Sequence, residues 1–223
     1  MKGLFYQPVR VDAKNHEVLF WGCLHYRHNP KWEVPIWKRR GYESSAEHDE
    51  GIVRNWNSKA TEKTVGFLLG DVMFGYGGDQ EFCNLMRRLK FQRVFVMSGN
   101  HHAGWKQAFE SVKSNTLYID GYHKEVIFVP NYLEAYVNGQ PIVMSHYAIA
   151  SWNGQGKGSW MLHSHSHGSL YGTDLGNILY TAKIMDVGVE RHPYPATFGD
   201  IKSNFNDPVV SFDHHNAKTQ NPF

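Results

Sequence analysis

Residues 65–75 read VGFLLGDVMFG, and this stretch decides the fold. Val65 to Leu69 is a short apolar run, the pattern of a strand buried on both faces. Gly70 lets the backbone turn sharply as it leaves the sheet, and Asp71 follows at the strand end. The same grammar recurs along the chain. WGCLHY (21–26), MSGNHH (97–102), MSHY (144–147) and LHSHSHG (162–168) each follow an apolar, β-rich run. Cys23, His25, Asp71, Asn100, His101, His146, His165 and His167 therefore fall at strand ends, where the loops of an α/β sheet converge. Imidazoles, a carboxylate, a carboxamide and a thiol at one sheet edge are the donor set of a metal site. A metal-dependent hydrolase is the reading.

Between these clusters the pattern alternates at first. Glu17 to Trp21 reads as a strand, and residues 27–43 as a loop rich in Pro, Trp and basic residues. Ser45 to Trp56 reads as a helix capped by Ser44 or Ser45. Asp79 is the expected cap of a helix carrying Phe82, Leu85, Met86 and Leu89 on one face. Arg93 to Met97 is a strand, and a short helix is expected over Trp105 to Val112. The later half is mostly strands: Glu125 to Val129, Leu133 to Val137, Ile142 to Ser145, Trp160 to His163 and Lys183 to Asp186. Asn138-Gly139 is the chemistry of a tight hairpin turn. The expected architecture is α/β, with two sheets packed together and flanked by helices, in one domain over residues 1–223.

Composition narrows the classes. At 223 residues the chain is long enough for a substantial core. A net charge of +2 gives no electrostatic case for strong nonspecific binding to nucleic acid. Two cysteines make no disulfide framework and suit a reducing, cytoplasmic setting. The opening residues become polar too soon for a signal peptide, and no apolar run is long enough to cross a bilayer. Fourteen histidines are the anomaly, because several sit in strand-end clusters.

Taken singly, the clusters differ in weight. An Asp after a strand and a lone His such as His146 are ordinary structural features. Asn100 offers a hard carbonyl oxygen, and His101 beside it is placed to protonate a leaving oxygen or stabilise charge. His163, His165 and His167 alternate, so in extended backbone they share a face. Imidazoles crowded on one face repel when protonated. A cation held by His165 and His167 removes that penalty.

Together the motifs resemble the calcineurin-like metallophosphoesterase superfamily. Its pattern runs Asp-x-His, Gly-Asp, Gly-Asn-His-Asp/Glu, His and Gly-His-x-His. The matching stretches here are Cys23-Leu24-His25, Gly70-Asp71, Gly99-Asn100-His101-His102, His146 and Ser164-His165-Ser166-His167. RNWNSKATEKTVGFLLGDVMFG, KIMDVGVERHPYPATFGDI and the Arg40-Gly41-Tyr42 step resemble small bacterial and phage members. The resemblance spans about residues 17–202. It implies a four-layer αββα sandwich of two mixed β-sheets flanked by helices. It also implies two divalent or mixed-valence metal ions. Cys23, His25, Asp71 and His167 would hold one; Asp71, Asn100, His146 and His165 would hold the other, with Asp71 bridging. A hydroxide between the ions would attack phosphorus, and His101 would assist the leaving group.

Three positions depart from the family pattern. Cys23 stands where the family has Asp, His102 where an acidic residue follows the catalytic His, and Ser164 where Gly precedes His165. A thiolate prefers Zn or Fe to Mg, so Zn or Fe is expected at the Cys23 site and Mn or Zn at the other. His102 supplies no negative charge to orient His101. The expected substrate is a small phosphodiester, phosphomonoester or nucleotide. Arg40 is nominated for the phosphate because a guanidinium matches its geometry, with His28 nearby and Tyr26 or Trp32 as a stacking surface. Three alternatives stand beside this reading: a non-catalytic metal-binding scaffold, a nuclease acting on DNA or RNA, and a thiol hydrolase using Cys23 with His25 as base.

Overall fold

Three phenylalanines stack across neighbouring strands at the centre of the molecule. The structure, a computed structural model, describes residues 8–13, 17–74, 78–101, 115–121 and 123–212. Strands β2 (Val18–Trp21), β3 (Val65–Leu69) and β4 (Arg93–Met97) run parallel, in a register that aligns Phe20 with Phe67 and Phe67 with Phe95. Ring centroids lie 5.2 and 4.8 Å apart with nearly parallel planes. Cross-strand aromatic pairs of this kind fix register as well as bury area.

Around these strands lies a six-stranded sheet. It adds β5 (Thr116–Ile119), β6 (Lys124–Phe128) and β11 (Ala196–Thr197), in the order β11-β2-β3-β4-β6-β5. The second sheet contains β1 (Val9–Val11), β7 (Tyr132–Val137), β8 (Gln140–Ser145), β9 (Trp160–His163) and β10 (Ile184–Asp186), in the order β1-β7-β8-β9-β10. Both sheets are mixed: β7 and β8 form an antiparallel hairpin, and β8, β9 and β10 run parallel. Asn138 and Gly139 both take positive φ, 51° and 83°, as a two-residue primed turn requires.

Side-chain alternation makes the layers. Phe20, Phe67 and Phe95 point inward to meet Leu133, Met144 and Leu162 of the second sheet. Trp21, Leu68 and Val96 point outward against helices α2 (Ser45–Lys59) and α3 (Gly78–Arg88), which contribute Ile52, Trp56, Phe82 and Leu85. On the far side, Val143, Met161 and Ile184 pack with Trp152 and with Leu179 of α4 (Asp174–Leu179). The order helix, sheet, sheet, helix is the expected αββα sandwich. Each large side chain buried this way contributes roughly 1.5–3 kcal/mol. α5 (Phe198–Asn204) closes one end, adding Ile201 to the inter-sheet core.

Local expectations need some correction. Ser44, not Ser45, caps α2: its hydroxyl accepts the Glu47 N–H at 3.1 Å. Asp79 lies inside the first turn of α3, which starts at Gly78, and is not its cap. The segment 27–43 is not all loop, because it carries a one-turn helix α1 (Ile36–Arg39). β1, β5, β11, α4 and α5 were not anticipated. They are two to seven residues long, too short to display a period. The helix expected over 105–112 lies outside the described residues. Among those residues, no helix is long and apolar enough to cross a membrane.

Candidate metal centre

The strand ends are zipped together by backbone hydrogen bonds before any side chain acts. Cys23 N–H donates to Gly70 O at 3.0 Å, His25 N–H to Asp71 O at 2.9 Å, and Asp71 N–H to Ser98 O at 3.3 Å. From the second sheet, Ser164 N–H donates to His146 O at 3.1 Å. Ser164 Oγ crosses to Leu69 O at 2.6 Å, and His146 Nδ1 to the same oxygen at 2.8 Å. The loops after β2, β3, β4, β8 and β9 thus meet at one edge of the sandwich.

The backbone there is strained. Among the described residues, nine other than glycine have positive φ, and five are Cys23, His25, Asp71, His165 and His167. Left-handed backbone costs a residue with a Cβ roughly 1–2 kcal/mol, and it concentrates where a site demands unusual geometry. Gly99 makes room in turn: a Cβ there would collide with the Asp71 carboxylate.

Donor atoms converge on Asp71. Its Oδ2 lies 3.3 Å from His146 Nε2 and 3.8 Å from His25 Nε2. Its Oδ1 is held by the His101 N–H at 2.8 Å. On one side, His25 Nε2 and His167 Nε2 stand 3.1 Å apart. On the other, His146 Nε2 stands 3.0 Å from Asn100 Oδ1 and 3.2 Å from His165 Nδ1. Ligands 2.0–2.3 Å from one ion lie at most roughly 4.6 Å from each other; the donor atoms of Cys23, His25 and His167, of Cys23, Asp71 and His146, and of His25, Asp71 and His101 each lie within 4.8 Å of one another, close to that spacing. Cys23 Sγ is within reach of His25 and His167 and also of Asp71 and His146, which sets the thiol between the two halves.

Protonation suits this chemistry. Burial, then the neighbouring His167, drives His25 well below the ordinary imidazole range. Burial likewise lowers His165. Both rings are therefore neutral and carry a lone pair. Burial raises Asp71, but the bond and charge of His146 and the His101 N–H outweigh it, and the carboxylate stays ionised. Burial pushes the Cys23 thiol up strongly. It accepts the His165 N–H at 3.1 Å, yet it becomes a thiolate only with a cation beside it. His25 Nδ1 is buried with no hydrogen-bond partner. Neutral rings and an anchored carboxylate fit bound cations.

The other nominated residues are placed as follows. His101 faces a cleft of about 530 Å³ that is also lined by His25, His28, Arg39, Arg40, His167 and Glu190. His28 is buried, accepts the Ile36 N–H on Nδ1 at 3.0 Å, and is lowered to about 4 by burial despite Glu33. Arg40 reaches the cleft, but its guanidinium is already engaged. It donates to Cys23 O at 2.7 Å, Leu24 O at 2.9 Å and Glu190 Oε1 at 2.8 Å. It braces the first-motif turn and is not free for phosphate. Tyr26 is no stacking surface either: it is buried on the helix side, where its hydroxyl accepts from Arg88 at 3.1 Å. His102 lies outside the described residues.

His163 does not share a face with His165 and His167. β9 ends at His163, whose Nε2 meets the Tyr180 hydroxyl at 3.1 Å. The positive φ of the next two histidines then breaks the extended alternation. Two carboxylates that hold the histidine loop escaped sequence reading. Glu190 Oε1 receives His167 Nδ1 at 2.7 Å. Asp186 ties down the histidine loop, accepting Ser166 Oγ at 2.9 Å and Gly168 N–H at 3.0 Å. Both lie at or just beyond the end of a strand, the same position that marked the other clusters.

No family model matches this chain, and no curated protein matches it in sequence. Among solved structures, the chain resembles a crystal structure of a protein of unknown function from Aquifex aeolicus. The TM-score is 0.55 at 17% identity, covering 85% of this chain and 99% of that one. At that identity the likeness shows the fold, an α/β sandwich of two mixed sheets.

Proposed function

We propose that the chain is a dinuclear metal-dependent phosphoesterase of the calcineurin-like type. A single observation carries the reading: Asp71 Oδ2 faces donor groups on both sides, His146 at 3.3 Å and His25 at 3.8 Å. An oxygen so placed is what a bridging ligand needs. Cys23, His25, Asp71 and His167 would hold one cation, Zn or Fe by the softness of the thiolate. Asp71, Asn100, His146 and His165 would hold the other, Mn or Zn. Bound there, two divalent cations supply Lewis-acid polarisation of a phosphoryl group and a water that ionises near neutral pH.

The chain's own residues do the rest. The His101 N–H fixes Asp71 Oδ1 and leaves Oδ2 facing the site. The His101 ring, at the cleft, protonates the leaving oxygen. The substrate is a small phosphodiester or phosphomonoester, since the cleft of about 530 Å³ matches a small ligand. The free thiols Cys23 and Cys83 suit a reducing, cytoplasmic setting.

Hydrolysis of bis-p-nitrophenyl phosphate with Mn, Zn and Fe separately tests this. Turnover with at least one metal is expected, and His101→Ala keeps its metals while losing turnover by about 10²–10⁴-fold. No turnover with any metal would favour a scaffold and defeat the proposal.

A further inference from the structure

An exposed tryptophan, Trp32, directly precedes Glu33, a residue that lines the cleft. Trp32 lies between β2 and α2 and is 72% exposed. Its ring is 6.3 Å from Phe74, which is 5.1 Å from the His101 ring and 4.2 Å from His28. A row of rings thus runs from His101 outward to Trp32, at spacings typical of ring contacts. Packing does not explain the outermost ring, since most of its surface is in water. Arg39 lines the same cleft, and its guanidinium has no hydrogen-bond or ion-pair partner among the described residues. The neighbouring Arg40 is occupied, so Arg39 is the guanidinium left to meet a phosphate.

We propose that the cleft takes a nucleotide, with its base stacked on Trp32 and Phe74 and its phosphate toward Arg39 and His101. The inference rests on the phosphoesterase reading and names the substrate class. A nucleobase offers a flat π face of the kind aromatic side chains hold without sequence preference. A guanidinium grips phosphate oxygens in pairs. One ring, Phe74, separates Trp32 from His101, leaving the sugar to span the gap between base and phosphate. Glu33, which also lines the cleft, offers acceptor oxygens to ribose hydroxyls.

The test compares adenosine 5′-monophosphate with ribose 5-phosphate, which differ only in the base. Binding is measured by calorimetry on Mn-loaded protein carrying His101→Ala, so that turnover does not interfere. Stacking on aromatic side chains corresponds to a preference of about 5- to 150-fold for the nucleotide. Trp32→Ala should abolish that preference and leave ribose 5-phosphate binding unchanged. Arg39→Ala should weaken both ligands alike. Equal binding of the two ligands, or a preference that survives Trp32→Ala, would overturn the inference. Binding of neither ligand, while wild type hydrolyses bis-p-nitrophenyl phosphate, overturns the inference and leaves the phosphoesterase reading standing. Loss of that hydrolysis as well defeats both.

Discussion

His167 Nδ1 lies 2.7 Å from Oε1 of Glu190, the short separation of a charge-assisted bond. Burial raises the Glu190 carboxyl, but the bond to His167 and the Arg40 guanidinium outweigh it and hold it at about 2. The carboxylate accepts the Nδ1–H hydrogen bond and leaves Nε2 of His167 facing His25, the tautomer a metal ligand needs. Glu190→Gln should weaken zinc binding at the first-motif half by about 10–100-fold, with the fold intact. Calorimetric zinc titration reads this, and an unchanged affinity would remove Glu190 from the site.

Arg40 should matter more to stability than to substrate. Its side chain is 6% exposed and touches Glu190, His48 and two backbone carbonyls of the first-motif turn. Arg40→Met leaves the half-buried Glu190 without its guanidinium and two backbone carbonyls without their donor, and should cost about 1–3 kcal/mol. Arg40→Lys keeps the charge but lacks the fork that reaches several acceptors, so an intermediate loss is expected. Urea unfolding measures both. A loss within about 0.5 kcal/mol for Arg40→Met, the size of an ordinary surface change, would contradict the bracing role.

On the proposed ligand set, Cys23 should set the metal preference. Cys23→Asp restores a hard oxygen ligand, and selectivity should move from Zn or Fe toward Mn and Mg. Competition binding followed by metal analysis reports the ratio. The same ratio in wild type and variant would show that the sulfur does not ligate.

The end of the sandwich should weaken in acid. Thr197 and Asp200 form a reciprocal cap on α5, with bonds of 2.9 and 3.0 Å. The Thr197 N–H, above all, holds the Asp200 carboxyl below its ordinary range. A carboxyl lowered in the folded state binds its proton less readily there than in the unfolded chain. Its contribution is therefore present above about pH 4 and fades as pH falls below it. Thr197→Ala should cost about 1 kcal/mol at pH 7. Asp200→Asn should be less stable than wild type at pH 7, and the gap should close below pH 4. Urea midpoints at several pH values check this, and a gap that widens in acid would contradict it.

Much of the sandwich was legible because buried strands announce themselves. VGFLL and RVFVM are apolar throughout, and β3 and β4 occupy the residues expected of them. β11 has two residues and leaves no period to read. The convergence of Asp71, Asn100, His146 and His165 followed from their places at strand ends. Side-chain direction did not. His163 turns to Tyr180 because its neighbours leave extended geometry, and no sequence spacing encodes a positive φ at His165. Arg40 and Glu190 stand 150 positions apart; only the folded chain pairs them, so a guanidinium that looked free for phosphate proves to be a brace.

Metal content of dialysed protein, wild type against Asp71→Ala, tests the central claim most directly. Two ions per chain are expected in wild type. In the variant both sites should be depleted and hydrolysis of bis-p-nitrophenyl phosphate lost with them, because on the proposed ligand set one carboxylate oxygen serves both halves. An Asp71→Ala protein that keeps two ions and full turnover would contradict the account.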